Sequence, residues 1–132
     1  MIYLLDTNII SYLIKSRNLD MVDKFEEMSK FATICVSSIT VAELFYGVKK
    51  KKSKKLEINV REFLYPVEKM PFDENSALIY GEVRVKLEKK GEVIGAHDML
   101  IASHALALGA TLVTNNTREF ERVEGLSVED WL

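Results

Sequence analysis

Two short apolar runs that end abruptly in small polar residues constrain this chain more than any other feature. "MIYLL" gives way to Asp6, Thr7 and Asn8, and "ATLV" gives way to Thr114, Asn115 and Asn116. Continuous apolar runs of this length, without polar alternation, fit strands covered on both faces, as in a parallel sheet. A third run, "FATICVS", is rich in the Val, Ile and Thr that suit a pleated surface. Helical spacing fills the intervals: Ile9, Ile10, Leu13 and Ile14 behind a Thr7 or Asn8 cap, then Met21, Val22, Phe25 and Met28, then "SSITVAELFYGVKK" behind a serine cap. "DENSALIYGEVRVKLEKKG" opens on Asp73 or Asn75 and closes on Gly91, and an apolar helix runs from about His97 to Leu108 and closes on Gly109. Pro66 interrupts "KLEINVREFLYPV", "VEKMPF" is a short strand or connector, and the final segment holds a possible edge strand. Alternating strands and helices give an α/β domain, a mainly parallel central sheet flanked by helices. Ligands in such folds gather at the carboxyl ends of the strands where strand order reverses. The two polar run ends are the candidates for that place.

A length of 132 residues predicts one domain spanning 1–132, large enough for a core without disulfides. Cys35 is the only cysteine, so no internal disulfide can form and a reducing compartment is expected. Neither a cleavable leader nor a stretch of ~18 apolar residues is evident, and the expectation is a cytoplasmic protein with no membrane association. The net charge of −2 conceals local fields. Lys49, Lys50, Lys51, Lys52, Lys54 and Lys55 crowd one stretch, and Arg84, Lys86, Lys89 and Lys90 another. The ordinary reading of such a run is a solvated helix junction.

Four acids stand in otherwise apolar segments: Asp6, Glu43, Asp98 and Glu119. Glu43 and Asp98 sit in apolar helices, where a lone carboxylate is expensive to bury unless paired or bound to a cation. Oxygen-rich sites of this kind suit hard divalent ions such as Mg²⁺ and Mn²⁺. Each acid also has an ordinary role open to it: Asp6 as a helix cap, Asp98 as a first-turn acid favoured by the helix dipole, Glu43 as a solvent-facing residue.

"LLDTNIISYL", "SSITVAELFYGV" and "IGAHDMLIASHALALGATLVTNNTREFERVEGLSVEDW" together resemble the PIN-domain toxin ribonucleases of the VapC type, in order and over essentially the whole chain. The resemblance implies a PIN-like fold and an Mg²⁺- or Mn²⁺-dependent endoribonuclease. Such a protein is usually a homodimer, is held inactive by a cognate antitoxin, and cleaves a structured RNA such as tRNA with a metal-activated water. It places Asp6, Glu43 and Asp98 on three of the family's acidic positions, as metal ligands. Many relatives carry an Asp after the last polar strand end, where this chain has Asn115 and Asn116 with Glu119 beyond; Glu119 then takes a supporting catalytic role, with Asn116 as a neutral ligand or positioning group at the same place. Thr7, Asn8, Thr114, Asn115 and Asn116 become groups that orient the carboxylates. The antitoxin is expected to insert a basic tail into the acidic pocket, guanidinium against carboxylate.

In that context the lysine run, Lys50, Lys51, Lys52 and Lys54 in particular, is a candidate RNA-steering patch. His97 is expected at the rim and His104 in the core or at an interface, and Cys35 as inert packing. Tyr12, Phe45 and Tyr46 are core residues by default, with base stacking or dimer support as the alternative. Two rival readings remain: a PIN-like scaffold that binds RNA or protein without cutting, and a haloacid-dehalogenase-like phosphatase. The second wants an Asp two residues after the first, where this chain has Asn8.

Overall fold

The computed structural model describes residues 1–15 and 19–131. Strand β1 (Ile2–Leu5) leads into helices α1 (Thr7–Lys15) and α2 (Leu19–Ser29). β2 (Thr33–Ser37), α3 (Ser38–Lys51), α4 (Lys54–Leu64) and β3 (Glu68–Met70) follow. The remainder is α5 (Glu74–Lys90), α6 (Ala96–Leu108), β4 (Thr111–Val113), the short α7 (Thr117–Phe120) and β5 (Ser127–Glu129). Among the described residues the five strands form one parallel sheet in the order β3-β2-β1-β4-β5. "VEKMPF" therefore contains a strand, and the terminal segment supplies the other edge.

The apolar runs are central because both their faces are covered. Tyr3, Leu5, Ile34, Val36 and Val113 point to a core shared with Ile9, Ile10, Met21, Leu44 and Val60. Leu4, Cys35 and Leu112 point the opposite way, to Val83, Leu87, Met99, Ile101 and Phe120. Each large apolar side chain so buried contributes about 1.5–3 kcal/mol, so a one-residue slip of β1 would exchange its partners on both faces at once. Cys35 donates to the Tyr3 carbonyl at 3.4 Å, and burial, with the Glu68 charge secondary, pushes its thiol up to about 11. It is inert packing.

Local chemistry sets the helix ends. Ser37 caps α3 by accepting from the Ile39 N–H at 3.1 Å, and Asp73 caps α5 by accepting from the Ser76 N–H at 3.0 Å. Gly91 (φ 68°) and Gly109 (φ 63°) close α5 and α6 in the left-handed region that glycine enters at least cost. The first helix differs from expectation. Thr7 and Asn8 lie inside the first turn of α1, and Asp6 precedes it, its carbonyl accepting from the Ile10 N–H at 3.2 Å. No helix among the described residues is long and apolar enough to cross a membrane.

Strand order reverses between β1 and β4. From β1 the chain builds outward through β2 to β3, then crosses to β4 and β5 on the other side. Leu5 pairs with Val113, and the Asp6 N–H donates to the Val113 carbonyl at 2.9 Å. The "DTN" and "TNN" ends thus emerge side by side at the switch point.

Candidate active site

Asp6 is only 5% exposed, and a carboxylate that buried must be hydrogen-bonded. Its Oδ1 accepts from the Thr7 N–H at 2.8 Å and its Oδ2 from the Thr114 hydroxyl at 2.9 Å. The Thr114 oxygen in turn accepts from the Asn116 N–H at 3.0 Å. The repeated "TN" therefore has a physical reason: one threonine offers its backbone and the other its hydroxyl to the same acid. Asn116 also donates through Nδ2 to Glu119 Oε2 at 3.3 Å, so the turn after β4 orients a second carboxylate.

Asp98 arrives from the first turn of α6. The helix dipole favours its charged form by about 0.3–1 kcal/mol, yet the carboxyl is pushed up to about 6. Burial is the largest cause, followed by the close Glu119 carboxylate and the charge of Asp6, with His97 pulling weakly the other way. Crowding and burial outweigh the dipole. The structure thus brings Asp6, Asp98 and Glu119 together.

Of the two places open to Glu43, a buried acid needing a partner or a solvent-facing residue, it takes the second. Its side chain is 50% exposed, and Oε1 stands 3.8 Å from His97 Nδ1. The cost-of-burial argument holds for Asp98 and fails for Glu43, because α3 turns Leu44 and Val48 inward and leaves Glu43 outside. Glu43 reaches the site at its edge, through the residue preceding Asp98. His97 is a rim residue as expected. His104 is fully buried, its Nδ1 2.8 Å from the Ser37 hydroxyl and its ring edge-on to Phe72, with burial holding its pKa below the usual value.

Asn8 and Asn115 make no direct side-chain hydrogen bond to an acid among the described residues; with Ser11, Tyr12 and Lys15 they line a polar cleft of about 400 Å³. Ser11 and Lys15 also border a smaller groove of about 120 Å³ shared with Thr7, Glu43 and Lys51. Sequence reasoning missed Ser11 and Lys15, which the helical spacing of α1 after Asn8 would have placed on one face.

The lysine run divides. Lys51 borders the groove beside Glu43, Lys50 lies over the Tyr46 ring at 5.8 Å, and Lys52 and Lys54 line a separate cleft with Glu57. α3 ends at Lys51 and Lys52 turns left-handed (φ 52°), so adjacent lysines diverge. The four do not present one face.

The residues suit a hard divalent cation in one respect and depart from a preformed cage in another. Among the described residues no three His, Cys, Asp or Glu side chains converge as a metal-binding group. Mg²⁺ does not require that, since it keeps several waters and takes one or two carboxylates. Asp6 and Asp98 would supply those and Glu119 would add negative charge, and among the described residues the buried Thr7 Oγ1 has no hydrogen-bond partner. An acid cluster whose members repel is the donor set a cation relieves. The fit is good.

Residues 3–126 match the PIN domain family. The chain is 47% identical to "Ribonuclease VapC2" of Rickettsia felis, over 99% of this chain and 98% of that one. It is 38% identical to the "tRNA(fMet)-specific endonuclease VapC" of Shigella flexneri, over 98% and 97%. The solved structure of VapBC2 from Rickettsia felis bound to a promoter DNA fragment superposes with a TM-score of 0.91 at 47% identity, covering all of both chains. A family match across nearly the whole chain, together with relatives this similar end to end, places the protein in the PIN-domain family, among the VapC ribonucleases.

Proposed function

We propose that this chain is a divalent-metal-dependent endoribonuclease, the toxin of a toxin and antitoxin pair, whose substrate is a structured RNA with tRNA the first to test. One observation carries the reading: buried Asp6, at the end of β1, meets half-buried Asp98 from α6 and Glu119 from α7 at the strand-order reversal. The Shigella flexneri relative, described as specific for tRNA(fMet), supports the choice of RNA. The Rickettsia felis assembly, a VapBC2 complex, supports an antitoxin partner.

Mg²⁺ or Mn²⁺ at this place supplies charge neutralisation on the scissile phosphate and a water activated near neutral pH. The chain's own residues do the positioning. Asp6 is locked in one orientation by the Thr7 N–H and the Thr114 hydroxyl, and Asp98 faces it from a rigid helix. Asn116 orients Glu119, which acts beside the ligands, and Glu43 with His97 closes the edge. Lys51, of the lysine run, is best placed to meet a phosphate entering along the groove. The antitoxin inhibits by setting a guanidinium among the acids, where a planar cation finds paired carboxylate oxygens. The active form is a homodimer of a single domain, 1–132, working in the cytoplasm.

The test is cleavage of tRNA by purified protein with Mg²⁺, with Mn²⁺, and in excess chelator. Cutting should require the ion, and Asp6→Asn and Asp98→Asn should each abolish it, with Glu119→Gln milder than either. Undiminished cutting in chelator would reject the mechanism. RNA left whole under every condition would favour a silent scaffold.

A further inference from the structure

The cleft beside the acids has no place in the chemistry so far. Asn8 follows Asp6 by two residues and Asn115 follows Thr114, whose hydroxyl holds Asp6, so the two carboxamides flank the acid site from the ends of adjacent strands. Asn8 is exposed and Asn115 half-buried. With Ser11, Tyr12 and Lys15 they enclose about 400 Å³, within the range of small-ligand sites. Among the described residues none of these five side chains is engaged in a hydrogen bond or an ion pair. The lining is therefore polar, with the Tyr12 ring packed partly buried on the core and the polar groups unengaged among the described residues, next to a site where Thr114 and Asn116 are already committed to the acids.

We propose that this cleft reads one unpaired nucleobase beside the scissile phosphate. This rests on the ribonuclease reading above. A carboxamide presents a donor and an acceptor side by side, which matches the edge of a base and discriminates among bases. Single-stranded RNA is recognised in this way, with splayed bases hydrogen-bonded on their edges and set against aromatic rings. Tyr12 supplies the ring and Lys15 the cation for the adjoining phosphate. Since Lys15 borders both the cleft and the Lys51 groove, it stands where a backbone would pass from one to the other. The chain selects its cleavage position partly by sequence, through Asn8 and Asn115.

The experiment measures binding of fluorescent oligo-A, oligo-C, oligo-G and oligo-U by anisotropy in chelator, where nothing is cut, and then maps cut sites on tRNA in Mg²⁺ by sequencing. Wild type should prefer one homopolymer by about tenfold, the discrimination expected of a good paired contact. Asn8→Ala and Asn115→Ala should flatten that preference while barely changing the disfavoured oligomers, and should spread the cut sites. Lys15→Gln should weaken all four alike. Asn8 is exposed, so its variant should melt with wild type and serves as the check on folding. Equal affinity of wild type for all four, or an unchanged preference and cut map in both Asn variants, would overturn the proposal. So would variants that lose only the binding of a partner protein, which would assign the cleft to that partner. Failure of the ribonuclease reading shows separately, as tRNA left intact by wild type in Mg²⁺.

Discussion

Replacing Asp98 by Asn should stabilise the metal-free protein near neutral pH and leave it unchanged in acid. The carboxyl is up from an ordinary 3.8 to about 6, by burial first and then by Glu119 and Asp6. An acid whose pKa is higher folded than unfolded binds its proton more readily in the native state. Wild type therefore loses stability as pH rises from about 4 to about 6, and the loss is complete above that window. The whole shift corresponds to about 3 kcal/mol without screening. Asp98 is only half-buried, and water discounts the figure to about 1 kcal/mol. For a chain of this size that is a rise of about 4 °C in Tm. Asn keeps the shape and removes the charge, so the mutant should melt higher than wild type in chelator at about pH 7.5 and level with it at about pH 4. Added Mg²⁺ should then favour wild type, by about 2.7 kcal/mol at a hundred times its Kd, and the mutant much less. Melts by circular dichroism across that pH range, with and without Mg²⁺, read all of this. A difference that does not change with pH, or an equal Mg²⁺ response in the two proteins, would refute the reasoning and make Asp98 a plain first-turn acid.

Exchanging Lys50, Lys51, Lys52 and Lys54 for Gln should flatten the salt dependence of RNA binding, by about 0.7 in the slope of log K against log[salt] for each phosphate that a lysine no longer meets. Because the lysines diverge, Lys51→Gln alone should account for most of it; titrations at several salt concentrations decide. Ser37→Ala removes both the cap on Ile39 and the partner of buried His104, and should cost about 2–3 kcal/mol in urea unfolding, whereas a change below about 0.5 kcal/mol would mean that water replaces the hydroxyl.

The alternation of buried strand and amphipathic helix was legible in the sequence because burial on two faces leaves a local signature, an unbroken apolar run. Ser37, Asp73, Gly91 and Gly109 could be read as helix ends for the same reason: a cap is settled within three or four residues of chain. Asp6, Asp98 and Glu119 could be singled out as acids in apolar company, and the paired motifs carried the family resemblance. What the chain alone did not decide was adjacency. Thr114 holds Asp6 across 108 residues, and only the order β3-β2-β1-β4-β5 sets those two strand ends together. The depth of each acid was equally beyond the sequence. Glu43 and Asp98 both sit in apolar helices, yet one is half-exposed and the other is pushed up to about 6, because burial depends on what packs over a helix face rather than on the face itself. The lysine run looked like one patch and became several, since a single left-handed residue at Lys52 redirects the chain. Asn8 and Asn115, which composition could only class as polar, became the walls of a cleft once β1 lay beside β4. Short-range chemistry writes itself into sequence, whereas a site made from four segments exists only when the sheet has chosen their neighbours.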